Sequence, residues 1–160
     1  MKLRSFSPLL VFFAVAATLA QDKPDLSKVP GKVMDGLKTR FPHAEVQKLS
    51  EEKEGDFMVY DFEFLVDGQK FEADIKEDGS IHNWEKEITA KDLSDPVRKS
   101  LELRYPKASV KEVMQVTEVK DGKEELEGYE IVLQTTDNKE EEITISPDGR
   151  VLEDTGTEKK

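Results

Sequence analysis

The chain has 160 residues, carries 35 acidic against 24 basic side chains for a formal net charge of −11, and contains no cysteine. A chain of this charge repels phosphate backbones and anionic lipid, which argues against nucleic-acid and membrane-surface roles and favours a basic partner or dissolved cations. With no cysteine there is neither a disulfide nor a lipid-anchoring thiol, so the fold must stand on its core.

Residues 1–20 read as a secretory signal peptide. Lys2 and Arg4 precede the apolar run Pro8 to Ala20, and charged sequence begins only at Asp22. Thr18 and Ala20 are small enough for a signal peptidase, which places the expected cleavage between Ala20 and Gln21, with Ala17 as the alternative end. The apolar run falls short of the roughly 20 residues that span a bilayer, so no membrane anchor is expected after processing. The expected location is the periplasm or the exterior. Lys2 and Arg4 leave with the signal, and the processed chain carries −13.

Val29, Val33, Leu37 and Phe41 lie four apart and predict a helix with one apolar stripe, opened near Pro30 and stopped by Pro42. Gly31 and Gly36 each weaken it by about 1 kcal/mol relative to alanine, so the helix must depend on docking to a sheet. A strand beginning near Ala44 is expected to carry a bulge, because Val46 and Leu49 break strict alternation. Met58, Tyr60, Phe62, Phe64 and Val66 alternate with Val59, Asp61, Glu63 and Leu65, and Asp67-Gly68 then turns the chain into alternating Phe71, Ala73 and Ile75. Asp78-Gly79 starts a further strand from Ser80 to Ile88.

The pattern then recurs. Val33, Leu37, Arg40, Phe41, Pro42, Ala44 and Val46 reappear 64 residues later as Val97, Leu101, Arg104, Tyr105, Pro106, Ala108 and Val110. Tyr60, Phe62 and Phe64 match Tyr129, Ile131 and Leu133, and Ile75, Asp78, Gly79 and Ile81 match Ile145, Asp148, Gly149 and Val151. The extra residues of the second copy fall in Lys120 to Glu127, expected as a loop tip. The predicted organisation is a signal peptide over 1–20, a first repeat over 22–88, a second over 89–154 and a polar tail over 155–160. The expected fold class is α+β: two tandem repeats of one helix plus about four antiparallel strands, together forming one extended antiparallel sheet with both helices on one side of it.

Phe41-Pro42-x-Ala44 and Tyr105-Pro106-x-Ala108, each after a helix and before a tyrosine-led strand and an Asp-Gly hairpin, resemble the PepSY-like family of secreted bacterial proteins. That family is related in fold to the β-lactamase inhibitor protein. The resemblance implies a tandem helix-plus-four-strand fold and, from the wider group, inhibition or regulation of peptidases; it supplies no catalytic residues.

Catalytic patterns are weak. His43 and His82 lie in different elements, too far from the helical-turn spacing that a zinc peptidase needs. No serine sits in a nucleophile elbow. No enzyme activity, catalytic residue, metal site or cofactor is expected. The alternative function is a calcium-responsive or structural envelope protein, because Asp67, Asp78, Asp121, Asp137 and Asp148 stand in turns, where hairpin chemistry is the simpler reading. What remains is the sheet face away from the helices. If Phe62 and Phe64 point inward, then Phe57, Val59 and Leu65 point outward; Trp84 is placed with them, taking Ile81 as the inward residue of its strand. These four are the expected contacts for a basic protein partner, with Asp61 and Glu63 beside them. The competing expectation is that the two copies, or a long charged side chain, cover this face.

Overall fold

A computed structural model describes residues 23–54 and 57–157. The expected signal peptide and its cleavage site lie outside the described residues, as do residues 158–160. Among the described residues, no helix is long and apolar enough to cross a membrane.

The chain runs α1 (Gly31–Arg40), β1 (Glu45–Glu54), β2 (Phe57–Val66), β3 (Gln69–Lys76), β4 (Ile81–Glu87), α2 (Asp95–Arg104), β5 (Ser109–Lys120), β6 (Lys123–Gln134), β7 (Glu140–Ile145) and β8 (Val151–Asp154). All eight strands form one antiparallel sheet in chain order. The expectation of an α+β fold made of two helix-plus-four-strand repeats is thereby corrected. The described residues are chiefly β, with α-helix in two short segments, α1 and α2. β4 pairs with β5 from Asn83↔Glu118 to Glu87↔Met114, so the backbone ladder runs unbroken from β1 to β8.

The two-residue turns follow from their chemistry. Asp67 (φ 52°) with Gly68 (φ 82°), and Asp121 (φ 51°) with Gly122 (φ 74°), occupy the left-handed region that a tight hairpin requires. The second of these sits at the end of twelve-residue strands, so Lys120 to Glu127 is a long hairpin arm and not a loop. The expected bulge in the strand after α1 is present, between Val46 and Lys48, and it recurs between Val110 and Glu112.

Paired residues in a ladder share a face. Phe71, Lys86, Gln115 and Tyr129 form one such row across β3 to β6, which puts both helices over the same side of the sheet. Under α1, Val33 and Leu37 pack with Phe62, Phe64, Ala73 and Ile75; under α2, Val97 and Leu101 pack with Val113, Ile131, Leu133, Ile143 and Ile145. Each large side chain fully removed from water there contributes about 1.5–3 kcal/mol. Both helices sit very close to the sheet's turns. A Cβ on Gly79 would meet the Lys32 carbonyl oxygen at 2.4 Å, and one on Gly149 the Pro96 carbonyl oxygen at 2.7 Å.

The end of the chain is tied down further than a polar tail suggests. Asp154 is buried, accepts from Arg104 Nε at 2.6 Å and from the Tyr105 hydroxyl at 2.5 Å, and Thr155–Thr157 closes a short 3₁₀ turn.

Candidate functional site

The face turned away from the helices is built by the residues between the core positions. Asp61 and Glu63 of β2, Glu72 and Asp74 of β3, Glu85 of β4, Glu112 of β5, Glu130 of β6 and Glu142 of β7 all fall on it by register. The result is a band of carboxylates running across the sheet. Part of it is neutralised internally. Lys48 pairs with Glu63, the Ser50 hydroxyl donates to Asp61 at 2.9 Å, and Asn83 Nδ2 donates to Asp74 at 2.9 Å. Lys70 Nζ lies 2.9 Å from Glu72 Oε1 and 2.7 Å from Glu112 Oε1, spanning from β3 to β5.

Burial and crowding shift these acids upward. Glu85 is only 8 % exposed. Burial, and then the nearby Glu130 carboxylate, push it well above the usual carboxylate range. Its Oε2 is enclosed without a hydrogen-bond partner, a condition that costs about 1–3 kcal/mol for a neutral acceptor and more for a charged one. Burial, with Glu142 close by, raises Glu130 to about 8, and burial with Glu153 raises Glu142 to about 7. Glu72 is raised by burial despite the opposing Lys70, and Asp61 is raised by burial too.

Together these raised acids set an unusual pH dependence of stability. An unfolded glutamate titrates near about 4.3, so between that value and about 8 the folded state holds more protons than the unfolded one. Stability must therefore fall as pH rises through this window, and rise on acidification from pH 8 towards 5. Each tenfold gain in proton affinity on folding is worth about 1.4 kcal/mol, so the group should contribute on the order of a few kcal/mol. A thermal melt series should show the midpoint climbing by several degrees from pH 8 to pH 5; a flat or opposite trend would count against the assignment.

The expected contact residues divide. Phe57, Val59 and Leu65 lie on the carboxylate face, but Val59 is fully buried, between Glu52 and Lys76 of the neighbouring strands, and Leu65 is half-buried. Phe57 is 37 % exposed, with Lys76 Nζ 4.9 Å from its ring centre and the His82 ring beside it. Trp84 is corrected to the opposite face. β3 pairs Ile75 with Ile81 and Ala73 with Trp84, so a bulge at His82-Asn83 brings both Ile81 and Trp84 inward. The indole packs edge-on against Phe41 at 6.0 Å and carries the Arg40 guanidinium over its ring at 4.9 Å. Arg40 in turn forks onto Glu124 of the hairpin arm at 2.8 and 3.3 Å.

The remaining members of the band, Glu72, Asp74, Glu85, Glu112, Glu130 and Glu142, were not singled out from sequence. Their signal was parity: Glu72 and Asp74 alternate with Phe71, Ala73 and Ile75, and Glu130 stands between Tyr129 and Ile131. Among 35 acidic residues that signal is visible only once the strands are in register. The turn aspartates stay apart. Asp78 accepts from Ser80, Asp137 from Thr135 and Asp148 from Ser146, as local turns demand. Among the described residues no group of three acids or histidines is placed to hold a metal ion.

No known family model matches the chain, and no curated protein matches it. Solved structures do. A DUF2874 family protein of Bacteroides uniformis is 16 % identical over 78 % of this chain and 87 % of its own, with a TM-score of 0.59. A BLIP-like protein of Bacteroides fragilis is 19 % identical over 78 % and 84 %, with a TM-score of 0.53. The fold is BLIP-like. A Bacteroides eggerthii protein named as periplasmic superposes with a TM-score of 0.61 at 17 % identity, over 79 % and 87 %. At these identities the likeness speaks for the BLIP-like fold alone.

Proposed function

We propose that this protein is an exported, periplasmic, non-catalytic binding module that docks a basic protein partner on the carboxylate band. The finer reading is a PepSY-like inhibitor or regulator of a peptidase or other envelope protein. The observation that carries it is the concentration of acids on the sheet face turned away from α1 and α2, several of them partly desolvated. Carboxyls already stripped of water are prepared to ionise against an arriving cation, while the ionised members of the band supply a field of one sign that steers such a partner in. The basic start and apolar run of residues 1–20, together with the fold shared with a protein named as periplasmic, support export. Phe57 and Leu65 add apolar contact at the band's margin.

Capture from a periplasmic extract tests it, comparing the wild type with a variant carrying Glu63→Gln, Glu72→Gln and Glu130→Gln. A basic protein should be retained at low salt, released by about 0.5 M salt as screening shortens the Debye length to a few ångströms, and lost with the variant. Retention of the same proteins by both forms at high salt would refute docking on the band.

A further inference from the structure

The face shows on its own residues how it takes a cation. Lys70 reaches across β4 to hold Glu72 and Glu112 together. Burial by itself would lower that ammonium's pKa, but the two carboxylates outweigh it and hold it raised. One position further along the strands stands Glu85, opposite Glu72 on β3 and Val116 on β5. It has no such cation. Its Oε2 is buried and without a hydrogen-bond partner, and the side chains around it are themselves acids or already engaged. Glu72 and Lys70 of β3 are tied to one another, and Asp74 accepts from Asn83. Glu112 and Glu118 of β5 are held by Lys70 and Lys120, while Glu130 of β6 and Asp61 of β2 are acids that offer Glu85 no cation.

We infer that Glu85 is the receptor carboxylate for one guanidinium or ammonium side chain of the basic partner, the point at which docking on this face becomes specific. The inference rests on the proposed docking of a basic partner. A single lined-up carboxylate with acidic neighbours suits a forked guanidinium donor, which supplies hydrogen bonds and charge together. A divalent ion would need several oxygens converging at one point, and no such group is placed here among the described residues.

The consequence is a proton exchange. Burial and the neighbouring Glu130 favour the protonated form of the unoccupied Glu85 carboxyl; the arriving cation favours the carboxylate, and the proton leaves to the buffer. Docking therefore tightens as pH rises, opposite in sign to the stability of the free protein.

The probe is a decapeptide of alternating arginine and glycine, with a citrulline-for-arginine analogue as its neutral control. Calorimetric titration of the protein should show at least tenfold tighter binding of the arginine peptide than of the analogue, several-fold tighter at pH 8.5 than at pH 6, with protons released at pH 7. Glu85→Gln should lose about tenfold in affinity at pH 8.5 and flatten the pH dependence. Glu102→Gln, an equal charge change on the exposed side of α2, should lose less than twofold. In the wild type, the Glu85 side-chain ¹³C resonance should move from its protonated to its ionised position on adding the arginine peptide, a readout that does not depend on any variant folding. Equal losses for the two variants, or an unmoved resonance, would overturn the role of Glu85 while leaving docking on the face intact. An arginine peptide that binds no better than its analogue would overturn both.

Discussion

Truncating Phe41 to alanine should lower the free energy of unfolding by about 3–5 kcal/mol, the range for removing a buried phenylalanine. Phe41 is the residue at which α1 ends, its N–H bonded to the Leu37 carbonyl at 2.8 Å. Its ring is 5 % exposed and lies 4.8 Å from Phe64, 5.6 Å from Phe71 and 6.0 Å from Trp84, centre to centre. Three aromatic neighbours on β2, β3 and β4 cannot all collapse into the space it would leave. Arg40 would also lose one of the two rings its guanidinium covers, at 5.0 Å from Phe41. Urea unfolding should show the midpoint falling with an unchanged slope; an unchanged midpoint would remove Phe41 from the core.

Gly36→Ala should be destabilising by about 1–3 kcal/mol net, towards the upper end for overpacking, although helix propensity taken alone predicts a gain of about 1 kcal/mol. The reason is geometric. A Cβ at position 36 would lie 2.2 Å from the carbonyl oxygen of Gly79 and 3.1 Å from its carbon. Both partners are backbone, so no rotamer change relieves the overlap, and α1 must lift away from the β3–β4 turn and from the Phe62, Phe64 and Ile75 beneath it. Gly31→Ala is the control: nothing lies within 4 Å of its Cβ, and the variant should be as stable as the wild type or more so. Equal melting temperatures for the two variants would contradict the close approach of helix and turn.

Positions governed by period and turn chemistry were legible in the sequence. The alternation through β2 and β3, the helix stops before Pro42 and Pro106, and the Asp67-Gly68 turn all follow from local rules that tertiary contacts reinforce here. Trp84 was not legible, because a parity argument counts residues and a bulge adds one. The extra residue at His82-Asn83 turned the indole from the carboxylate face to the helix face. One extended antiparallel sheet is expected from the sequence and the eight strands form it; which strands join its halves is not legible, because the β4–β5 pairing is a long-range ladder between unlike segments. Phe57, Val59 and Leu65 were placed on the right side by alternation, but how far each is covered depends on cross-strand neighbours that alternation does not rank.

A sheet laid down in chain order never meets its own beginning, so among the described residues β1 and β8 each join the ladder along one edge only. Such a margin is a template on which another chain can add a strand and start an aggregate. The two margins are blunted in different ways. β1 carries Glu45, Lys48, Glu51, Glu52 and Lys53 along its length, charged side chains that would have to lose water when a strand was added beside them. β8 offers only four residues, and its last, Asp154, is already clamped by Arg104 and Tyr105. The weak place is Val151 and Leu152, both more than a third exposed at the start of that short strand. Self-association, where it occurs, should begin there.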